Sequence, residues 1–306
     1  MRKHRWVDKV TEFARKYVEG QEQSQEVKVA LIDDGVSPNE ELRGKIHSLG
    51  WPRQNPTDLT YPWYRSITGH GTEMARLIRM LCPQVKLYVA KISQWSHEGS
   101  RPEALAQFST ASTAAEAVAW AIEQKVDIIS MSWNLIRTPE NKDAIKRLDL
   151  EIQKASNQGI IMFCAAADQS LYGGRSELYP VCSDTEKIFA VGSADPHGAA
   201  SAFVNPQEVE YLFPGESINI STIKEIKGSS VATALATGFA ALILWCFGEQ
   251  RGGRGMDKVR DPKVMRKIFD NLKVEKFVDA TILLGSGKRI KGVKEVVDQC
   301  RNWIKA

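Results

Sequence analysis

The strand-length segments of this 306-residue chain read as near-continuous apolar runs instead of a strict alternation of apolar and polar residues. Val27 to Ile32, broken only by Lys28, is β-branched and apolar, and it stops abruptly at Asp33-Asp34-Gly35. Such a strand has no face to leave in water, so it belongs inside a sheet covered on both sides. Between such runs lie Ala-rich stretches of helical period. Ala111 to Gln124 places Ala117, Val118, Ala121 and Ile122 on one side, a stripe that faces a core. The alternation predicts an α/β domain with a mainly parallel central sheet and helices on both faces. A hydrophobic share of 43% over 306 residues is enough for one large domain. The uncharged run Val231 to Phe247 approaches membrane-spanning length, but it contains Thr233, Thr237 and Gly238 and reads as a buried helix.

Three short segments carry the chemistry. Asp33 closes the first apolar run, where a carboxylate is presented at a strand end. Gly69-His70-Gly71-Thr72 precedes the helical pattern Met74, Ala75, Leu77, Ile78 and Leu81, which puts His70 at a helix start. Gly228-Ser229-Ser230 opens the Val231 run, so Ser230 also lies where free backbone N–H groups can receive an anion. A serine hydroxyl is a poor nucleophile until a histidine takes its proton, and the histidine needs a carboxylate to fix its tautomer. Taken singly, Asp33 reads as a turn residue, His70 as a capping residue and Ser230 as an N-cap. Taken together, the three fill every role of nucleophilic acyl transfer.

In their order Asp, His, Ser, these segments resemble the subtilisin-like serine proteases (subtilases, peptidase family S8). The resemblance extends to Leu87-Tyr88-Val89-Ala90-Lys91, Val126 to Ser132, Gly159 to Asp168, Ile188 to Gly192 and Phe213-Pro214-Gly215, and covers residues 26 to 248. It implies a subtilisin-like three-layer α/β fold and a divergent intracellular member of the family. It further implies Asp33, His70 and Ser230 as catalytic triad, and Asp168 with the Ser230 backbone as oxyanion site. Ser132, Trp133 and Asn134 become the strand that pairs with substrate, and Ala165, Ala166 and Ala167 a wall of the first specificity pocket.

The departures matter as much. The family's His-Gly-Thr-His-Val-Ala-Gly is His70-Gly71-Thr72-Glu73-Met74-Ala75-Arg76 here, and Ala234 and Leu235 stand where it has a Pro-His pair. Asp34 occupies a place where it often has serine or threonine. Trp133 and Asn134 replace a usual Leu-Gly, which would narrow the cleft. Most consequential, Asp168 stands where the family carries an asparagine that donates to the oxyanion. An ionised carboxylate offers no donor and repels the developing charge, whereas a protonated one donates through its O–H.

The flanks read differently from the centre. From Glu249 onward 15 Lys or Arg face 8 Asp or Glu, a local +7 in a chain of net +4. This gives three segments: 1–25, an amphipathic helix (Trp6, Val7, Val10, Phe13, Ala14) with linker; 26–250, the catalytic domain; and 251–306, a basic helical extension packed on the core, entered through Arg251-Gly-Gly-Arg254. No aromatic platform accompanies the basic residues, so nucleic acid is not expected. Met1-Arg-Lys-His-Arg leads into no apolar h-region, and the five cysteines form no framework, which points to a cytoplasmic location with reduced thiols. His47, His97 and His197 lack metal-ligand spacing. No cofactor is expected beyond a structural calcium that the sequence does not place. The expected function is a serine endopeptidase acting through an acyl-enzyme on peptide or protein substrates, as a module beside other domains of a larger chain. The alternative is a weak or inert subtilase-like module that binds peptides or partner domains.

Overall fold

The apolar runs do become strands. The computed structural model describes residues 4–21, 25–52, 62–92, 103–168, 178–183, 186, 188–219, 225–249 and 255–305. Its strands are β1 (Lys28–Asp33), β2 (Lys86–Lys91), β3 (Ile128–Met131), β4 (Leu135–Ile136), β5 (Ile161–Ala165), β6 (Leu178–Tyr179), β7 (Ile188–Ala194), β8 (Tyr211–Pro214), β9 (Ile218–Asn219), β10 (Glu225–Ile226), β11 (Lys273–Val274) and β12 (Phe277–Val278). Eight of them form one sheet in the order β11-β12-β8-β7-β5-β3-β1-β2, in which β11 alone runs antiparallel to its neighbour. The strand order reverses at β1, flanked by β2 on one side and β3 on the other. In open parallel sheets a crevice opens at that point, beyond the carboxyl ends of the strands.

The helices are α1 (Arg5–Tyr17), α2 (His70–Leu81), α3 (Glu103–Glu123), α4 (Lys142–Asn157), α5 (Ser229–Gly248), α6 (Met256–Val259), α7 (Pro262–Leu272), α8 (Ala280–Leu284) and α9 (Val293–Lys305). Alternate residues of each strand serve opposite layers. Val29 and Leu31 of β1 join the cluster built with α1, α2, α5 and α7, whereas Ala30 and Ile32 join the cluster built with α3 and α4. Both faces are therefore covered, as the unbroken apolar runs require.

Helix α5 is apolar on all sides, and its residues from Val231 to Gly248 are all buried inside the protein. It lies against α2 so closely that a Cβ on Gly238 would come within 2.8 Å of the Ile78 carbonyl oxygen. Two hydroxyls fix it further: Thr237 Oγ1 donates to Ser130 Oγ on β3 at 3.1 Å, and Thr233 Oγ1 to the Ser229 carbonyl at 2.8 Å. The two helices that begin at His70 and Ser230 are thus held as one packed pair.

The segments outside 26–250 share this core. Phe269 of α7 stacks or edges against Phe163, Phe189, Tyr211, Phe213 and Phe239, with centroids 5.5–6.1 Å apart. Trp6 of α1 meets Phe213 and Phe239 edge-on, and its indole N–H donates to the Val278 carbonyl at 2.7 Å. The C-terminal segment is not only helical, because β12 pairs with β8 and β11 with β12 to complete the sheet. The basic surface residues follow from this: the apolar side of each helix is spent on the core. The Arg251-Gly-Gly-Arg254 linker, His97 and residues 1–3 lie outside the described residues.

Candidate active site

Asp33 is the last residue of β1 and fully buried, at the switch point of the sheet. His70 is the first residue of α2, and its Nδ1 lies 2.8 Å from Asp33 Oδ1. That approach requires Gly71. A Cβ there would stand 2.2 Å from the Gly35 carbonyl oxygen and 2.9 Å from Asp34 Oδ1, so no larger residue can follow His70 at this distance. The imidazole is 30% exposed, which leaves one edge open to solvent or substrate.

Burial by itself would lower the His70 imidazole, but the hydrogen bond and charge of Asp33, with Asp34 and Glu73 nearby, outweigh it and hold it above the usual histidine range. Burial pushes the Asp33 carboxyl up, against the opposing pull of His70. Its Oδ1 also accepts the Asp34 backbone N–H at 2.8 Å, while Oδ2 has no partner among the described residues.

Ser230 is the second residue of α5, half-buried. Its hydroxyl donates to the Ser132 carbonyl oxygen at 3.3 Å, and the Ser132 hydroxyl donates back to the Ser230 carbonyl at 3.3 Å. In this rotamer the hydroxyl is committed to the segment after β3 and not to the imidazole. The Asp33–His70 hydrogen bond is therefore formed, while the Ser230 hydroxyl is bonded to Ser132.

Asp168 follows β5 and receives the Ser229 backbone N–H on both oxygens, at 3.0 and 2.8 Å. It acts as an acceptor for a free donor at the start of α5, a function the sequence did not reveal. Asp168 is exposed as a residue, but desolvation of its carboxyl beside the α5 start raises it above the ordinary range, and the hydrogen bonds from Ser229 offset this in part. Asp168 is thus bonded to the residue that precedes Ser230.

Two expectations about the substrate side need correction. Trp133 does not narrow the cleft with its side chain: the indole is buried, donates to the Ile32 carbonyl at 2.9 Å, and packs with the α3–α4 layer. A large apolar ring gains more from that core than from a wet groove. Ala166 does not share a wall with its neighbours: it lies just past β5 and packs among Ala194, Val204, Val209 and Leu212. Ala165 is buried at the end of β5, and Ala167 is half-buried beside the α3–α4 layer. Ser132 is nearly buried, and half-buried Asn134 keeps its Oδ1 without a partner among the described residues.

The residue missed from sequence is Asp34. It accepts Ser66 Oγ (2.7 Å) and Gly71 N–H (2.9 Å) on Oδ1, and Thr68 N–H (2.8 Å) and Thr68 Oγ1 (2.7 Å) on Oδ2. The doublet Asp33-Asp34 was the available signal. Among the described residues no group of three or more His, Cys, Asp or Glu is arranged to hold a metal ion. None of the five cysteines is in a disulfide.

The sequence model of the Subtilase family matches residues 24–250. An intracellular serine protease of Paenibacillus polymyxa is 29% identical over 236 residues, 71% of this chain and 66% of that protein. The major intracellular serine protease of Bacillus subtilis (strain 168) is 28% identical over 237 residues, 71% of this chain and 68% of that protein. The chain thus spans about two thirds of the length of these relatives. Among solved structures, a lanthipeptide protease superposes with a TM-score of 0.68 at 19% identity, covering 96% of this chain and 93% of that one. The fold is the subtilisin-like α/β fold.

Proposed function

We propose that this chain, which belongs to the Subtilase family, is a serine endopeptidase that cleaves peptide bonds through Asp33, His70 and Ser230. The observation that carries the reading is the 2.8 Å contact between His70 Nδ1 and a fully buried Asp33, set beside a serine at the start of the helix packed against the histidine's own. For attack, the Ser230 hydroxyl leaves the Ser132 carbonyl and gives its hydrogen bond to the free imidazole nitrogen. His70 then takes the proton as Oγ attacks the scissile carbonyl, and Asp33 stabilises the imidazolium. The tetrahedral oxyanion faces the Ser230 backbone N–H and Asp168. Collapse breaks the C–N bond, His70 returns the proton to the leaving amine, and water hydrolyses the acyl-enzyme by the same relay in reverse.

Substrate pairs as a strand with the Ser132–Asn134 backbone, with Ala165 and Ala167 at the first pocket. Two relatives named as intracellular proteases and five cysteines outside any disulfide favour a cytoplasmic enzyme. A second reading, an inert module that binds peptides, is favoured by two features: the resting Ser230–Ser132 bond and a carboxylate at the oxyanion position. Labelling by a serine-directed fluorophosphonate separates the two. Covalent modification that disappears in Ser230→Ala supports the protease, and silence of the folded chain from pH 5 to 8 supports the binding module.

A further inference from the structure

We propose that Asp34 is the positioning residue of the site: it clamps the turn that presents His70 and supplies a second negative charge beside the imidazole. The proposal rests on reading His70 as the general base.

The clamp is specific in what it holds. All four hydrogen bonds to the Asp34 side chain come from residues 66–71, the stretch that ends at α2 and carries the histidine. A serine or threonine hydroxyl has two lone pairs, too few for four donors, whereas a carboxylate accepts four in two pairs. The donors are linked further. Ser66 Oγ also accepts the Gly69 N–H at 2.9 Å, and Thr68 Oγ1 accepts the His70 N–H at 3.2 Å, so Asp34 orients the hydroxyls that in turn fix the backbone of the turn. Removing the carboxylate would free two hydroxyls and two N–H groups at once, directly before the catalytic ring.

The charge is as well defined as the clamp. Asp34 is fully buried, and its four donors hold it ionised against the penalty of burial. The charged groups facing His70 are Asp33 at the end of β1, Asp34 directly after it and Glu73 from its own helix. Facing Asp34 from β2 is Lys91, whose ammonium donates to the Arg65 carbonyl at 2.7 Å and so closes the far end of the same loop. Three carboxylates around one imidazole favour its protonated form, which is the form that builds up during attack and must return its proton to the leaving group.

The test uses the full chain and two readouts. In Asp34→Asn, the pH midpoint of the His70 ring, read by NMR of its carbon-bound protons, should fall by about one unit. Fluorophosphonate labelling of Ser230 should slow on the order of 10²-fold at a pH where the ring is neutral in both proteins. Thr68→Val keeps the charge and removes part of the clamp, so labelling should slow about tenfold with the midpoint in place. An unmoved midpoint in Asp34→Asn, or labelling at the natural rate in Thr68→Val, overturns the proposal. If Asp34→Asn does not fold, Thr68→Val alone decides. If the natural chain is never labelled, the protease reading fails, and the His70 midpoint still decides the role of Asp34.

Discussion

Replacing Asp168 by asparagine should make this chain faster. In the structure both Asp168 oxygens face the Ser229 N–H, at 3.0 and 2.8 Å, one residue before Ser230. Asparagine keeps one oxygen for that N–H and turns an amide donor toward the position where the oxyanion forms. A donor of this kind contributes on the order of 10²–10³ in turnover, or about 2.7–4 kcal/mol of transition-state stabilisation. The natural residue can donate only when protonated. Its carboxyl is raised by local desolvation, so the donor form is present below that raised pKa and lost as pH rises through it. The His70 base behaves oppositely: its pKa is raised too, so the neutral ring is present only above it. The two requirements conflict wherever the histidine pKa exceeds that of Asp168, and the fully competent fraction is then small at every pH. Rates of fluorophosphonate labelling and of ester-substrate hydrolysis, followed from pH 5 to 9, test this. Asp168→Asn should label 10²–10³-fold faster above neutrality, and its profile should rise to a plateau governed by His70 alone. Equal or slower reaction at pH 8, in a variant whose folding is confirmed, would refute the assignment of Asp168 to the oxyanion site.

Two further substitutions probe how the fold supports the site. Gly71→Ala forces a Cβ to within 2.2 Å of the Gly35 carbonyl oxygen. It should cost about 1–3 kcal/mol by denaturant titration and slow labelling on the order of 10²-fold; labelling at the natural rate would remove the close-approach argument. Phe269→Ala empties the centre of an aromatic cluster whose centroids lie 5.5–6.1 Å away. It should lower unfolding free energy by about 3–5 kcal/mol while the folded fraction labels normally, and a loss below about 1 kcal/mol would mean that the C-terminal segment is an appendage after all.

What could be read from the sequence was whatever depends on local pattern. The apolar run of β1 ending at Asp33, the helical period after His70 and the glycines around both are short-range features, and each fixes an element boundary within a few residues. Side-chain direction was harder, because it is decided by competition between distant surfaces. Trp133 follows a strand that ends in the cleft, and only the presence of the Ile32 carbonyl and the α3–α4 layer sends its ring into the core. Ala166 illustrates the same limit at the smallest scale: three identical residues cannot show which one packs apart from the others. The role of Asp34 was hidden for a different reason. Its four donors come from positions 66–71, more than thirty residues along the chain, so no window around the doublet contains them.

The same long-range dependence joins the site to the core. His70 and Ser230 begin two helices in contact through Gly238, and α5 is bound to β3 through Thr237 and Ser130. Ser130 lies two residues before Ser132, which meets Ser230 through reciprocal hydrogen bonds. On the proposed mechanism, base, nucleophile and substrate strand are therefore mounted on one packed unit, to which β1 and Asp33 also belong, because β1 pairs with β3. Catalytic geometry of this kind tolerates little error, since about 1 Å of misplacement costs on the order of 10²-fold. The dense packing around α5 and the clamp on Asp34 do complementary work: the first fixes where the nucleophile stands, and the second fixes where the base stands relative to it.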